Sequence, residues 1–397
     1  MRPHHHTLDR IQVHRCAARY LQDHIPFAEY GRLATASAIW AVVLAACAGI
    51  TSFHAVCSRL VDSPCEETLR KALYASIPEL AELSRRLNAA LAGRLPRPLR
   101  RRPRRLAVDL TLIPYHGQHS RDESEVYRSQ PKAGTSHFHA YATAYVMLHG
   151  ERYTVALTTV TRGEAMRDVV CRLNRQASSA GVRPALMLLD AGFFTTDVIR
   201  YLQAARCPFL MPAVIRGRKV DDPRGPSGTR VFAAMKHSGW HDYRMTGGSR
   251  REKTARVSIC VSCRNYRGEW KRRGRRTFVY ACWGVDGHSC DWVRETYRRR
   301  FGIESSYRQM NQARGRTTTR RPELRLLYVG VALVLRNEWV WLHFEVLSTP
   351  RRGGRVIRPE RLRLRELLHW LAGVIEQEYG TIVDMITERP ICSELRN

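Results

Sequence analysis

Apolar positions in the first quarter of the chain recur at helical spacing. Residues 34–48 form an almost unbroken run of apolar helix formers, and residues 51–60 place Phe53, Val56 and Leu60 on one face. A break follows, and Ser63-Pro64-Cys65-Glu66 has the marks of a third helix start. Ser63 is a candidate N-cap, Pro64 suits the first helical position, and Glu66 can close a capping box. Two short helices with a tight break between them have the pattern of a helix-turn-helix, whose second helix would run over 64–74. An ordinary helical bundle has the same pattern. Residues 1–93 are expected to form an all-helical domain.

The pattern changes after a segment of seven arginines and three prolines, RLPRPLRRRPRR at 94–105, expected as a stiff basic linker. Residues 106–114 (LAVDLTLIP), 140–148 and 153–160 then have strand character, the last two joined through a turn at His149-Gly150. A helix is predicted over 164–180, with Met166, Val169, Val170 and Leu173 on one face. Residues 185–189 are apolar throughout, as in a central strand. A helix over 195–205 and a strand over 208–215 complete a β-β-β-α-β-α-β order, an α/β fold around one mixed sheet with flanking helices. Residues 217–289 break this rhythm. A Pro/Gly-rich loop over 221–228 leads into short β-type runs at 257–261 and 277–283, expected as a β-rich insertion. Helices near 293–312, 324–347 and 359–378 follow, the last in a C-terminal tail over 348–397.

Charge narrows the function. Lys+Arg is 66 against 36 Asp+Glu, a formal net charge of +30, and only six of the basic residues are lysine. Arginine presents a planar fork of donors suited to phosphate oxygens, so this excess points to a polyanionic partner and disfavours a small-molecule metabolic enzyme. It also favours DNA contact by the N-terminal helices. The hydrophobic fraction of 44% excludes wholesale disorder. The apolar run at 39–50 is too short to span a bilayer, and 324–347 carries Arg325, Arg336, Asn337, Glu338 and Glu345, so no membrane span is expected. The first residues, MRPHHHTLDRIQVHR, lack a signal-peptide core, and 11 scattered cysteines suit a reduced, cytoplasmic chain.

Two carboxylates stand in unusual places. Asp109 lies inside an apolar strand and Asp190 ends another, just before Ala191-Gly192-Phe193. A carboxylate buried in a strand is costly unless it is paired or bound to a cation. On adjacent strands the two could share a divalent metal, for which oxygen ligands suit Mg²⁺ or Mn²⁺; each alone also fits a turn or capping role. On the predicted helix over 293–312, Tyr297, Arg300 and Glu304 stand at offsets 0, 3 and 7, within about 60° on one face. Arg308 and Asn311 extend the stripe. That face reads either as a solvated, salt-bridged surface or as a metal-binding Glu flanked by phosphate-gripping arginines.

Asp109 in VDLTLIPYHG, Asp190 in LLDAGFF, and Tyr297, Arg300 and Glu304 in YRRRFGIE form an ordered set, with separations of 81 residues from Asp109 to Asp190 and 114 from Asp190 to Glu304. Over roughly residues 106–345 this resembles a DDE transposase of a bacterial or archaeal insertion sequence, in the branch with a spaced Tyr, Arg, Glu, Lys signature. The chain departs from the signature at its last position, where Asn311 stands in place of lysine; Arg308 is one turn earlier. Arg314, Arg316, Arg320 and Arg321 follow in ARGRTTTRRP. The resemblance implies a ribonuclease H-like catalytic domain over 106–216 and 290–347, interrupted by the insertion at 217–289. It implies Asp109, Asp190 and Glu304 as catalytic metal ligands for two Mg²⁺ or Mn²⁺ ions, about 4 Å apart in such sites. It further implies DNA contacts by Tyr297, Arg300, Arg308, Asn311, Arg314 and Arg316, and an aromatic of the insertion stacking on a flipped base. Trp283, Trp270 and Trp240 are the candidates, with Trp283 first; for any one of them a buried core position in the insertion is the plainer reading. Double-stranded DNA, both terminal inverted repeats and target, is the implied partner, bound by a homodimer in the cytoplasm at the nucleoid. The rival readings are a non-catalytic DNA-binding protein and a ribonuclease H-like nuclease without strand transfer.

Other signals point elsewhere more weakly. Cys260-x-x-Cys263, with Cys282, His288 and Cys290 after it, has zinc-like spacing, but a strand would turn Cys260 and Cys263 to opposite faces, so structural zinc is not expected. His116, His119, His137 and His139 lie near the first aspartate and read as loop residues or DNA contacts; His4–His6 reads as an exposed terminal run.

Overall fold

The computed structural model describes residues 8–118, 125–148, 151–219, 221–247, 253–267, 273–352 and 354–381. Four helices come first: α1 (Arg10–His24), α2 (Ala36–Ala48), α3 (Phe53–Cys57) and α4 (Glu66–Ser76). Asp9 caps α1 in a reciprocal box with Gln12, and Thr35 caps α2 through the amide of Ala38. The expected cap at Ser63 is not made. Helix α4 begins at Glu66 after Cys65, with no side-chain cap, and the Ser63 hydroxyl instead donates to Leu60 O and Pro64 O. The break between α3 and α4 is also longer than the 3–4 residues of a helix-turn-helix. Residues 58–65 fill it, tied by Val61 N to Gly380 O and Asp62 N to Tyr379 O.

Helix α5 (Leu80–Gly93) follows, and the basic segment after it is not an extended linker. Pro98 opens a short helix, α6 (Pro98–Arg101), that buries Leu99, and β1 (Arg104–Pro114) already includes Arg104 and Arg105. Proline's fixed φ suits the first turn of a helix, which extended-linker reasoning overlooks.

Among the described residues the sheet has nine strands in the order β2-β3-β1-β5-β6-β9-β8-β7, with β4 also on β3. Its members are β1, β2 (Tyr127–Lys132), β3 (Thr135–Leu148), β4 (Glu151–Val160), β5 (Pro184–Leu189), β6 (Phe209–Pro212), β7 (Gly239–Gly247), β8 (Lys253–Arg267) and β9 (Arg273–Trp283). Strands β1, β5 and β6 are parallel and central; β3 and β9 pair antiparallel on either side. The predicted turn at His149-Gly150 lies outside the described residues. The β-rich segment is present, but as a continuation of the main sheet: β9 pairs with β6 through Phe209↔Trp283 to Pro212↔Tyr280.

Helices α7 (Met166–Ser179), α8 (Thr196–Ala204), α9 (Arg230–Ala233) and α10 (Cys290–Arg298) pack on the sheet. Alternate strand residues Ala107, Leu188, Leu210, Tyr280 and Cys260 form one core layer with Val293 and Tyr297 of α10. The intervening residues, such as Val108, Met187, Leu189 and Phe209, are buried as well, as expected of a sheet covered on both faces.

The predicted helix over 293–312 is broken. After α10 comes a 3₁₀ turn at Arg299–Phe301, and α11 (Gly302–Asn311) starts afresh at a glycine. Helix α12 (Pro322–Trp341) continues into a π-helical turn at Leu342–Leu347, and α13 (Leu364–Tyr379) follows a small hairpin of β10 (Thr349–Arg351) and β11 (Gly354–Val356). Among the described residues no helix is long and apolar enough to cross a membrane.

The chain forms two compact units, Met1–Leu83 with Met310–Asn397, and Ser84–Gln309. The division differs from the expected boundaries near 93 and 347. In the first unit α1, α12 and α13 surround α2, whose residues from Ala38 to Cys47 are all buried. In the second, Asn88 of α5 bonds both ways with Leu157 of β4, at 2.9 Å each, and so fastens α5 to the sheet.

Candidate active site

Asp109 and Asp190 stand side by side. In the parallel pairing of β1 with β5, Val108 is opposite Leu189, and each aspartate is the next residue. The carboxyl ends of parallel strands are where open α/β sheets gather functional groups. Asp109 shares the face of Ala107, the face that α10 covers. Its Oδ1 accepts from the amide of Leu110 at 2.8 Å. Asp190 stands at the N-cap of the 3₁₀ turn Ala191–Phe193, yet its side chain makes no capping bond.

Both carboxylates instead meet one guanidinium. Arg300, in the 3₁₀ turn, brings Nη1 to 3.4 Å from Asp109 Oδ2 and Nη2 to 3.0 Å from Asp190 Oδ1. Its side chain is 8% exposed, against 15% for Asp109 and 43% for Asp190. Burial works to lower its pKa, but its neighbours, Tyr297 first and then the carboxylates of Asp109 and Asp190, outweigh burial and raise it, so Arg300 is held cationic.

Three tyrosines hold the broken helix against the strands. The Tyr297 hydroxyl donates to Leu189 O at 3.2 Å, next to Asp190. The Tyr145 hydroxyl of β3 donates to Arg300 O at 3.2 Å. The Tyr307 hydroxyl of α11 donates to Asp109 O at 3.0 Å and lies 2.8 Å from Thr143 Oγ1. Burial, with Asp190 and Asp109 nearby, raises the Tyr297 pKa, and burial with Asp109 raises that of Tyr307, so both hydroxyls remain donors at neutral pH.

The expected residues thus divide. Asp109, Asp190 and Arg300 come together. Tyr297, expected as a DNA contact, is turned into the core against Tyr280, and Arg300 lies over the Tyr297 ring and is turned inward on the aspartates; the expected continuous helix breaks between Arg298 and Gly302. Glu304 is the third residue of α11; its side chain lies outside the described residues. Arg308 is exposed near the end of α11. Asn311, Arg314 and Arg316 belong to the other unit, where Arg314 Nε donates to Asn311 Oδ1 at 3.4 Å and Arg316 N to Thr51 O.

Trp283 is half-buried in β9 opposite Phe209, and Trp240 donates to His288 O from β7. Trp270 lies outside the described residues. Cys260 packs in the core layer, whereas Cys263 Sγ reaches Met235 O at 3.4 Å. Sequence reasoning missed Tyr145, Thr143 and Tyr307. The Glu304-x-x-Tyr307 spacing, one helical turn, was the available signal for Tyr307.

Arginines flank this centre in two cavities. One, of about 410 Å³, is lined by Arg104, Arg105, Arg299 and Arg300 with Tyr145 and Met147. The other, of about 570 Å³, has Arg276, Arg294 and Arg298 beside Phe278 and Tyr280.

The profile of the transposase DDE domain matches residues 100–335, more than half of the chain. The chain belongs to the DDE transposase family. None of the curated proteins compared with this transposase matches it. Among solved structures it is similar to the piggyBac transposase synaptic complex with hairpin DNA, determined by cryo-EM, with a TM-score of 0.50 and 12% identity over 100% of this chain and 85% of that one. At that identity the likeness is one of fold: a mixed α/β sheet flanked by helices, with a helical N-terminal region. DDE transposases are nucleases and transesterases that use divalent metal ions, and the paired carboxylates here are a donor set of hard oxygens that suits such ions.

Proposed function

We propose that this transposase cuts and joins DNA at the ends of its own insertion sequence, of the bacterial or archaeal kind with the Tyr-Arg-Glu-Lys signature. The observation that carries the reading is the placement of Asp109 and Asp190 level with each other at the ends of adjacent parallel strands. Asp109, Asp190 and Glu304 would hold two Mg²⁺ or Mn²⁺ ions. When bound, these supply charge stabilisation for the attacking and leaving oxygens of an in-line displacement at a phosphodiester. Leu110 N fixes one lobe of the Asp109 carboxylate, and Tyr297 and Tyr307 fix the strand ends that carry both acids. Arg105 and Arg299, both exposed at the first cavity, offer phosphate contacts, as do Arg308 and, in the other unit, Asn311, Arg314 and Arg316.

Double-stranded DNA carrying the terminal repeats is the proposed partner, and two copies of the chain bring two ends together. Trp283 remains the proposed base-stacking residue. Helix α4 is a weaker candidate for base readout than its sequence suggests, since Arg70 and Lys71 pair with Glu66 and Glu67 of the same helix. Such a protein works at the nucleoid, in the cytoplasm.

The test is incubation with a duplex carrying the flanking repeats and Mg²⁺. Cut and joined products are expected, and Asp109→Ala, Asp190→Ala or Glu304→Ala abolishes both while DNA binding survives. A second reading, a DNA-binding protein without catalysis, draws on the Arg300 bridge, which already neutralises part of the acidic pair. Full DNA binding with no cut product under Mg²⁺ or Mn²⁺ selects it; cutting without joining selects a nuclease.

A further inference from the structure

Two carboxylates held side by side repel each other and resist joint ionisation unless a cation lies close to both. Here the chain supplies that cation. Arg300 reaches Asp109 with one terminal nitrogen and Asp190 with the other. The bridge is incomplete as hydrogen bonding. Nη2 bonds Asp190 Oδ1 at 3.0 Å, but Nη1 and Nε are buried and make no hydrogen bond. A guanidinium satisfied by one acid would meet it with two parallel N–H groups; this one is divided between two acids. Its backbone belongs to a single 3₁₀ turn between two helices, held at the carbonyl by Tyr145. The cavity beside it, lined by Arg104, Arg105 and Arg299, gives the side chain room to leave.

We propose that Arg300 is a built-in counter-cation: it keeps Asp109 and Asp190 together in the metal-free protein and gives up at least one of them when a divalent ion is bound. The inference rests on the reading that the two aspartates are metal ligands. Arg300 then sets the affinity of the site. It weakens metal binding by competition, and it spares the free enzyme the repulsion of two unshielded acids. It is a positioning residue, and its effect is measurable without DNA.

The experiment is Mn²⁺ binding to the full-length chain, by calorimetry and by loss of the free-ion electron paramagnetic resonance signal, in the wild type, Arg300→Gln and Arg300→Lys. Removing the charge in Arg300→Gln is expected to tighten Mn²⁺ binding by roughly ten- to a hundredfold, the scale of removing a cation a few ångströms from the ion in a partly hydrated site. The same variant melts at a lower temperature without Mn²⁺ and gains more from its addition than the wild type does. Arg300→Lys keeps the charge without the span of the fork, so it falls between the two and carries the test if Arg300→Gln does not fold. Mn²⁺ binding that is unchanged or weaker in the variants overturns the inference and leaves the transposase reading intact. No Mn²⁺ binding by any of the three proteins overturns both.

Discussion

Tyr307 donates its hydroxyl to the main-chain oxygen of Asp109 at 3.0 Å, so α11 is fastened to the residue proposed as a metal ligand. Glu304 stands on the same helix, one turn earlier. Tyr307→Phe keeps the ring and removes the tie. Its stability cost is about 1 kcal/mol, while the rate of end cleavage is expected to fall by roughly ten- to a hundredfold, as small misplacements of reacting groups do. Single-turnover cleavage and urea unfolding of the same preparation check this. A rate loss no larger than the loss of folded protein would show the tie to be structural only.

The two aspartates should differ in what they contribute to folding. Asp109→Asn leaves a buried guanidinium short of its more enclosed partner and is expected to cost about 3 kcal/mol. The Asp190 side chain is 43% exposed, so solvent shields the same loss, and Asp190→Asn should cost about 1 kcal/mol or less. Urea midpoints at neutral pH, in the absence of divalent ions, measure the difference; equal costs would refute it.

A separate ion pair gives the fold a pH dependence. Glu164 accepts from Arg172 of α7 and from the amide of Thr161, while Arg172 also bonds Thr158 and Thr159 at the end of β4. Burial works to raise the Glu164 pKa, but these bonds outweigh it and hold the pKa below its ordinary 4.5. The folded pKa is depressed, so the stabilisation is complete above the unfolded value and is lost as pH falls through the folded one. Glu164→Gln should therefore be less stable than wild type by about 1 kcal/mol at pH 7, with the gap closing below pH 4.5. Urea titrations across pH 3.5–7 test this; a gap that persists at the acid end contradicts the assignment.

Salt dependence separates the two candidate DNA surfaces. Deleting one side chain that grips a phosphate lowers the slope of log affinity against log salt by about one. Arg105→Ala with Arg299→Ala is expected to reduce the slope by about two, whereas Arg70→Ala with Lys71→Ala leaves it unchanged because those side chains are engaged within α4. Gel-shift titrations at several salt concentrations decide between them, and the reverse result would restore α4 as the DNA-reading helix.

The central strands were legible because burial on both faces writes an apolar run, as in residues 185–189, and the aspartates because a carboxylate interrupts or ends such a run. Strand β2 was not legible: Tyr127–Lys132 is polar, contains Pro131 and is mostly exposed, so no hydrophobic period marks it. Strand β7 was missed for a similar reason, its residues being mostly half-buried or exposed. The pairing of β9 with β6 is a long-range hydrogen-bonding choice that local pattern does not encode. Helical periodicity misled across Arg299–Phe301, where a 3₁₀ turn and Gly302 interrupt the continuous helix it predicts. The tyrosine ties depend on hydroxyl groups meeting carbonyls far away in sequence, which composition and spacing do not disclose.

Helix α2 is walled in by helices from both ends of the chain, α1 before it and α12 and α13 after it. A frameshift or early stop ahead of α13 would therefore do more than trim a tail. It would strip one wall from a segment whose side chains from Ala38 to Cys47 are all buried, leaving an aggregation-prone polypeptide. Damage to the codons of α12 or α13 would then unsettle α2 as surely as damage to its own.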